Sequence, residues 1–296
     1  MTRYVTAGVD GSAESFAAAH WAAREAARRG TALCLVHAWR WHPHPASSVP
    51  VDTAEREVAE RVLSRAASGI RAGHPGLSVV ERLVSDSAVA ALLTAAEGAE
   101  VLVLGSRGLG RVAGFVVGAV SQRVVARSPR PVVLVRAGET SADEHLPALH
   151  GISPDEIPET PYRDVVLGLD TERPCDELIE FAFVAARQYD AALQVLHAFR
   201  PATPHAPDGS ALSGPELLAD QEHRVVAALR PWCAKFPDVT VVETVVQERA
   251  AHALVRAAAQ ASLVVVGRGA ATPHVGAVTH ALLHHAACPV AVVPHA

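Results

Sequence analysis

Spaced glycines, two arginines and a serine follow the short apolar run Val101–Leu104. These residues are Gly105, Arg107, Gly108, Gly110, Arg111, Gly114, Gly118 and Ser121. Glycine lets the backbone turn with positive φ and come close to a ligand, because it carries no Cβ. A helix that begins after such a loop offers free N–H groups and the positive end of its dipole, and arginine adds charge-assisted donors. The spacing therefore favours a loop that binds phosphate.

Two well-known phosphate loops fit the sequence less well. A Walker loop ends in Gly-Lys, whereas the only lysine of the chain, Lys235, follows no glycine-rich run. The pair Gly108-x-Gly110 is like the start of a dinucleotide fingerprint. The third glycine comes one residue late, however, and Arg136 stands where an acidic residue is expected. These departures argue against a dinucleotide, and a flexible surface loop remains the alternative on spacing alone.

The glycine loop belongs to a segment that occurs twice. Tyr4–Arg40 aligns with Asp164–Arg200 at a constant offset of 160 residues. Pro131–Val135 aligns with Pro289–Val293 at an offset of 158. Ungapped identities at both ends indicate two copies of one domain.

The repeat sets the domain organisation. We predict domain 1 over residues 1–137 and domain 2 over residues 163–296. The segment between them, 138–162, is rich in proline, glycine and acidic residues and has no apolar periodicity. Such a composition is typical of a solvated linker.

Apolar strands alternate with helical stretches in each copy. In domain 1 the predicted strands are Tyr4–Val9, Thr31–Ala38, Leu77–Val84, Val101–Leu104 and Val132–Val135. The predicted helices cover 13–30, Thr53–Ala72, Ser87–Glu97 and Ser121–Ala126, with Ser12 as an N-cap and Gly30 as a stop. This alternation predicts an α/β fold with two tandem Rossmann-like domains, each a five-stranded parallel sheet with helices on both faces.

Ligands of such sheets bind at the carboxyl ends of the strands. In this sequence those ends are Asp10-Gly11-Ser12, His37-Ala38 and the loop after Leu104. The pattern Gly105-x2-Gly108-x9-Gly118, followed by a small residue, resembles the ATP-binding signature of universal stress proteins. Asp10 at the end of the first strand and the closing Pro131–Val135 run fit the same family. The resemblance covers both halves, so the chain is similar to a tandem-type universal stress protein.

The resemblance implies an adenine nucleotide in the cleft between strands one and four. Asp10 would face the adenosine, the backbone at Ala38 the adenine, and the glycines the ribose and phosphates. The nucleotide-binding residues implied in domain 1 are Gly8, Val9, Asp10, Ala38, Gly105, Arg107, Gly108, Gly118, Ala119, Val120 and Ser121. Ala119 departs from the family pattern, which has Ser or Thr there. The lost hydroxyl would weaken phosphate binding by roughly 1 kcal/mol rather than abolish it.

Domain 2 carries a reduced version of the loop. The alignment offset changes from 162 at Gly267 to 158 at Gly276, so this loop is four residues shorter. Ala270 replaces the second glycine, and Pro273 stiffens what remains. A weaker second site is expected to use Asp170, Ala198, Gly267, Gly276 and Thr279. We expect domain 2 to act mainly as a structural or interface copy.

Histidines offer no convincing metal or catalytic site. His280 and His284 have the spacing of a metal pair, but no third ligand is apparent. His37 and His197 end corresponding strands, which favours a shared positional role. The sequence contains no evident nucleophile–base arrangement. We therefore expect no metal site and no catalytic residues, and ATP hydrolysis, if present, should be slow.

The bulk composition restricts the function further. The formal net charge of −5 gives no electrostatic reason for nucleic acid or an anionic membrane as a partner. The sequence shows neither a signal peptide nor an apolar run long enough to cross a membrane. The four scattered cysteines favour a reducing cytoplasm. The loop 39–50, rich in proline and histidine, is either a lid or a plain loop.

The leading hypothesis is a cytoplasmic, regulatory stress-response protein that binds ATP, alone or with Mg²⁺, mainly in domain 1. The resemblance also implies association through the last strand of each domain, both as a pseudo-dimer of Val132–Val135 with Val290–Val293 and between chains. The alternative is a dimerisation scaffold of the same fold that binds no nucleotide. A third hypothesis, an enzyme that transfers AMP or phosphoryl groups, finds no dedicated catalytic residue.

Overall fold

The computed structural model describes residues 3–39, 51–108, 115–116, 118–146, 160–173, 175–200, 214–270 and 274–295. The chain divides into two compact units. Met1–Thr140 belongs to the first, here domain 1, and Ser141–Gly269 with Gly276–Ala296 forms the second, here domain 2. The loop predicted at 39–50 lies outside the described residues, apart from Trp39.

Domain 1 is built around a parallel sheet. Its elements are β1 (Tyr4–Gly8), α1 (Ala13–Arg28), β2 (Leu33–Trp39), α2 (Val51–Gly73), β3 (Val79–Ser85), α3 (Ala88–Glu97), β4 (Ala99–Gly108), β5 (Phe115–Val116), α4 (Ala119–Arg127) and β6 (Val132–Arg136). Five strands lie in the order β3-β2-β1-β4-β6, and all of these pairs are parallel. Helices α1 and α2 contact each other. Helix α3 contacts α4 and the strands β1, β2 and β4. The predicted five-stranded parallel sheet is confirmed.

Domain 2 repeats this architecture. After the short helix α5 (Ser141–Glu144), its elements are β7 (Val165–Gly168), α6 (Asp176–Tyr189), β8 (Leu193–Ala198), α7 (Gly214–Lys235), β9 (Val241–Val246), α8 (Ala250–Ala257), β10 (Leu263–Gly269), α9 (Ala277–His285) and β11 (Val290–His295). The strand order is β11-β10-β7-β8-β9, again parallel throughout. In both sheets the strand order reverses beside the first strand. Ligands of this class of fold bind at this switch point.

One strand was not predicted. The two residues of β5 pair antiparallel with the end of β4, with Arg107 opposite Val116 and Gly108 opposite Phe115. The apolar run that predicts β4 ends at Leu104, whereas the strand continues to Gly108. A two-residue strand has no periodicity, so the sequence carries no signal for it.

Helix α1 follows the first strand and begins as predicted. The Ser12 hydroxyl accepts a hydrogen bond from the Ser15 amide at 3.2 Å, which caps the helix. Alanines cover the buried face of α1, so its backbone lies close to the sheet. Gly30 has a φ of +62° just after the helix, which explains why the helix ends there.

The described parts of the predicted linker are packed rather than solvated. His145 pairs with Tyr162 in an isolated antiparallel bridge, and their rings lie 4.0 Å apart. The Tyr162 ring lies 4.9 Å from that of Tyr189 in α6. Glu144 and His145 are both almost fully buried. These residues therefore belong to domain 2, and the prediction of a solvated tether was wrong for them.

Among the helices that the structure describes, none combines the length and apolar character that a bilayer crossing requires.

A buried carboxylate holds the end of α1. Glu25 is 2% exposed and forms ion pairs with Arg28 at 3.0 Å and Arg29 at 2.6 Å. Arg29 also lies 3.6 Å from Glu100 in β4. Burial alone would raise the pKa of Glu25, but Arg29 and Arg28 outweigh burial and hold this pKa below its ordinary value. This cluster links α1 to the strand that leads into the glycine loop.

We predict that Glu25→Gln lowers the free energy of unfolding at pH 7 by about 3 kcal/mol, since the largely buried guanidinium groups of Arg28 and Arg29 lose the carboxylate that they share. Because the folded pKa is depressed, the stabilisation is complete above about pH 4.3 and is lost as the pH falls through the folded pKa. The variant should therefore show a weaker loss of stability in acid than the native protein. Thermal unfolding across pH 3–7 measures both effects.

Glu60→Gln is the matched control, because Glu60 is half exposed and pairs with the exposed Arg56. It should leave the midpoint unchanged at every pH. Equal effects of the two substitutions would contradict the role assigned to Glu25.

Candidate functional site

The strands part at the carboxyl edge of each sheet, beside the first strand. In domain 1 the pairing of β1 with β4 ends at Ala7 and Val103. In domain 2 the pairing of β7 with β10 ends at Leu167 and Val265. The residues that follow these strands are those in which the sequence predicts ligand contacts.

Domain 2 encloses a cavity of about 750 Å³ at this edge. The five residues predicted for a second site, Asp170, Ala198, Gly267, Gly276 and Thr279, all line it. Its apolar wall includes Leu178, Leu196, Leu217, Leu254 and Val266. The volume lies within the range of small-molecule sites, and an apolar wall with a few polar groups is their usual lining.

Helices α4 and α9 begin beside these strand ends in the same way. Gly118 caps α4 with φ −59° and ψ 146°, and Gly276 caps α9 with φ −63° and ψ 160°. No side chain caps either helix, so the amides of the first turn are not satisfied by a capping residue. A Cβ at either glycine would meet no atom of the described residues within 4 Å, which leaves room for a ligand to come close.

A hydroxyl ties each of these helices to its strand. The Ser121 hydroxyl donates to the Gly105 carbonyl at 3.1 Å, and the Thr279 hydroxyl donates to the Gly267 carbonyl at 3.4 Å. Both hydroxyls thus position the first helical turn. The amides of this turn, rather than the hydroxyls, are the donors that remain for a phosphate.

The aspartates at the ends of β1 and β7 shape the turns that follow. The Asp10 carboxylate accepts hydrogen bonds from the Ser12 amide at 3.0 Å and the Ser12 hydroxyl at 2.5 Å. The Asp170 carboxylate accepts one from the Glu172 amide at 3.0 Å. Both are exposed aspartates that hold a tight turn. Any ligand contact they make comes in addition to this structural role.

Ala38 and Ala198 lie near the ends of β2 and β8, beyond the last residues that pair with the first strand of each domain. The Val9 amide donates to the Val36 carbonyl at 2.9 Å, and the Leu169 amide donates to the Leu196 carbonyl at 3.1 Å. Peptide groups two residues apart in a strand point to the same side. Those of Ala38 and Ala198 therefore point past the end of the first strand of each domain, where the edge of a flat base could meet them.

His37 and His197 have the same positional role. His37 Nδ1 lies 2.6 Å from the Val9 carbonyl, and His197 Nδ1 lies 2.9 Å from the Leu169 carbonyl. A carbonyl only accepts, so Nδ1 carries the proton in both. Each histidine thus fixes the residue that follows the first strand. The Val9 backbone is engaged on both sides, and its side chain is buried, so Val9 contributes to the site by position.

The domain 2 cavity contains a polar network that the sequence did not reveal. His197 Nε2 lies 3.0 Å from Gln221 Oε1, and the Thr171 hydroxyl donates to the same oxygen at 3.3 Å. Gln221 belongs to α7. The packing of this helix decides which of its side chains face the cavity, and the sequence repeat does not indicate this. Thr171 stands where domain 1 has Gly11, whose φ is +86°.

His295 and Arg268 are further features of this edge. His295, near the end of β11, lines the cavity and lies against Gly267. Arg268 is 6% exposed, donates to the Gly269 carbonyl at 3.2 Å, and has a pKa that burial lowers. It places a positive charge beside the strand end that lines the cavity. The corresponding residue of domain 1 is Ser106, which donates to the Val135 carbonyl.

Packing explains two glycines that the family resemblance assigned to the nucleotide. A Cβ at Gly105 would lie 2.6 Å from the Glu14 carbonyl carbon and 2.7 Å from its oxygen, in the first turn of α1. A Cβ at Gly8 would lie 2.8 Å from Leu104 and from Leu92. Gly105 therefore needs glycine for the fold because its neighbour is backbone, whereas at Gly8 two leucine side chains would have to shift.

The arch of the domain 1 loop falls largely outside the described residues. Gly110, Arg111, Gly114 and the side chain of Arg107 are not described. Ala119 and Val120 are exposed in the first turn of α4. The stronger binding expected of domain 1 therefore stays a prediction.

The histidines of α9 lie together. The rings of His280 and His284 have centroids 4.3 Å apart. Within the described part of the chain, no group of three or more His, Cys, Asp or Glu residues is arranged to hold a metal ion.

Known proteins with similar sequences share one family description. The model of the universal stress protein family matches residues 1–136 and 161–294. A universal stress protein of Mycobacterium tuberculosis is 31% identical over 300 residues, covering 97% of this chain and 96% of the relative. One from Mycolicibacterium smegmatis is 29% identical over 307 residues, covering 98% of this chain and 96% of the relative.

A solved structure shows the same fold. The crystal structure of a universal stress protein from Archaeoglobus fulgidus aligns with 99% of this chain and 98% of its own, with a TM-score of 0.72. The sequence identity in this alignment is 16%, so the likeness concerns the fold.

The two strand-end glycines should differ in their tolerance of a methyl group. We predict that Gly105→Ala lowers the free energy of unfolding by about 2 kcal/mol, because the backbone of α1 has to move. Gly267→Ala should cost less, because its close neighbour at 2.8 Å is the His295 side chain. Calorimetric unfolding measures both.

Gly118→Ala serves as the control, because its Cβ would meet open space. Equal stability of Gly105→Ala and Gly118→Ala would show that α1 does not approach β4 as closely as described.

Proposed function

The chain belongs to the universal stress protein family, and we propose that it is a regulatory member that binds adenine nucleotides at the carboxyl edges of its sheets. A universal stress protein in complex with cAMP and one from Archaeoglobus fulgidus in complex with dAMP have solved structures, each aligning with less than half of this chain. The proposal depends on a feature of this chain itself, the cavity in domain 2. Five residues chosen from the sequence line that single cavity.

The groups around the cavity suit the parts of an adenine nucleotide. The apolar wall of leucines and Val266 offers contact to a flat base, and the peptide groups of Ala198 can pair with its edge. Asp170 lies on the rim with a carboxylate for a ribose hydroxyl. The first-turn amides of α9 face the position of a phosphate, where the helix dipole favours negative charge.

Domain 1 is proposed as the stronger site for polyphosphate. It keeps Asp10, Ala38 and the uncapped start of α4, and its loop is four residues longer than that of domain 2. The additional glycines and arginines provide donors for the second and third phosphates. Ala119 lacks the hydroxyl of the family pattern, so its contribution is limited to the amide.

The role is proposed as regulatory because two titratable side chains of the described cavity, Asp170 and His197, already hold its structure: Asp170 fixes the turn to Glu172, and His197 fixes the residue after β7. His197 Nδ1 donates to the Leu169 carbonyl, and its Nε2 lies 3.0 Å from the side-chain amide of Gln221, so both ring nitrogens lie against protein groups. A base has to be able to take a proton from a bound water. Slow hydrolysis is therefore the expectation, with Mg²⁺ as a companion of ATP. Association through the last strands stays a prediction.

Titration calorimetry with Mg-ATP tests the two sites. The native protein should bind ATP, and Gly118→Val should weaken the tighter binding at least about tenfold, because its side chain covers amides that would bond a charged phosphate. Gly276→Val should remove the weaker binding alone. Both glycines have open space around them, so folding should be preserved. Asp10→Asn keeps the turn and removes the charge.

Gly76→Val is the matched control, since Gly76 also has no atom within 4 Å of its Cβ position and lies at the other end of the sheet. No ATP binding by the native protein would favour the dimerisation scaffold. Equal binding by all variants would show that the nucleotide binds elsewhere.

A further inference from the structure

Domain 1 contains a second cleft, at the amino edge of its sheet. This arginine cleft has a volume of about 590 Å³ and is lined by Arg3, Tyr4, Thr6, Arg82, Glu97 and Arg130, among others. Tyr4 begins β1, and Arg130 lies just before β6, so the cleft is at the opposite edge from the glycine loop. Neither the family resemblance nor the repeat predicts it.

The charge of the arginine cleft is strongly positive. Three guanidinium groups line it against one carboxylate, that of Glu97. Within the described chain, none of these arginine side chains forms an ion pair. Arg82 lies over the Tyr4 ring, 5.6 Å from its centroid, which restricts where the guanidinium can go. Like charges held together without counter-ions favour the binding of an anion.

The backbone of Arg130 is also held in place. The Ser128 hydroxyl accepts from the Arg130 amide at 3.1 Å and donates to the Arg130 carbonyl at 2.8 Å. Ser128 is 1% exposed, so this turn is part of the packed domain. Arg130 therefore reaches the cleft from a fixed point.

Thr6 adds a buried polar group. Its side chain lines the cleft although the residue is only 2% exposed. Its hydroxyl forms no hydrogen bond with other residues of the described structure. A hydroxyl that bonds no described protein group can donate to an anion bound in the cleft.

The duplication shows that the fold does not require this cluster. In domain 2 the positions of Tyr4, Thr6, Arg82, Glu97 and Arg130 are taken by Asp164, Val166, Thr244, Ala259 and Cys288. Arg163, the counterpart of Arg3, donates to the carbonyls of His145 and Ala259. Domain 2 therefore forms the same sheet with none of the free cationic groups.

We propose that the arginine cleft binds a small phosphate-bearing anion, independently of the nucleotide sites. Guanidinium groups match phosphate oxygens in paired hydrogen bonds, and several of them favour a ligand with at least two negative charges. The volume is suited to a small molecule rather than a macromolecular surface. The Thr6 hydroxyl supplies a neutral donor on the wall of the cleft.

Pyrophosphate titrated into the full chain at low salt, followed by calorimetry, tests the site. Arg82→Gln and Arg130→Gln should each weaken binding about tenfold or more, since each removes charged hydrogen bonds. Glu97→Gln should tighten binding about twofold to fivefold, because it removes the opposing charge. Thr6→Val should weaken binding without loss of thermal stability, because the lost hydroxyl has no hydrogen-bond partner among the residues that the structure describes.

Two controls make the result decisive. Arg61→Gln, an exposed arginine on α2, should bind pyrophosphate like the native protein. The double variant Gly118→Val, Gly276→Val should also retain the binding, because it alters only the carboxyl edges. The proposal is overturned if the native protein does not bind pyrophosphate, if Arg61→Gln weakens binding as much as Arg82→Gln does, or if the double variant loses it.

Discussion

The first-turn amides of α4 and α9 are the groups around which the carboxyl edges of both domains are arranged. Helix geometry leaves these N–H groups without partners in the helix, and neither helix has a capping side chain. A hydroxyl donates from each first turn to the carbonyl of a strand-end glycine, which fixes the amides beside the end of β4 or β10. An anion is the simplest group that satisfies several such amides at once, which is the physical basis of the proposed function.

A comparison of the two domains separates the features that both copies keep from those that differ. Both keep the histidine that holds the residue after the first strand, the aspartate-stabilised turn and the uncapped helix start. They differ in loop length, in Gly11 against Thr171, and in the arginines at the amino edge. The shared features lie at the carboxyl edge of both sheets, and the differences are where we expect unequal ligand preference to arise. The domain with the shorter loop still encloses a well-formed cavity, so loop length alone does not decide whether a site exists.

Much of this arrangement follows from the sequence, because its signals are local. Apolar runs predicted the parallel strands, Ser12 and Gly30 marked the ends of α1, and the repeat located the residues around the domain 2 cavity. Features that depend on tertiary packing were not predicted. The contact of Gln221 with His197 depends on the rotation of α7 about its axis. The need for glycine at position 105 depends on how closely α1 approaches β4, and the packing of Tyr162 depends on the ring of Tyr189, which is distant in sequence. The arginine cleft is formed by four separate segments of the chain, so no single sequence motif predicts it.

The central claim is that nucleotide phosphate binds the amides at the starts of α4 and α9. Amide hydrogen exchange of the full chain, with and without saturating Mg-ATP, tests this most directly. We expect slower exchange at Ala119–Ser121, and to a smaller extent at Ala277–Thr279, because these amides gain hydrogen bonds to phosphate. Saturating ATP binding with unchanged exchange in both first turns would contradict it.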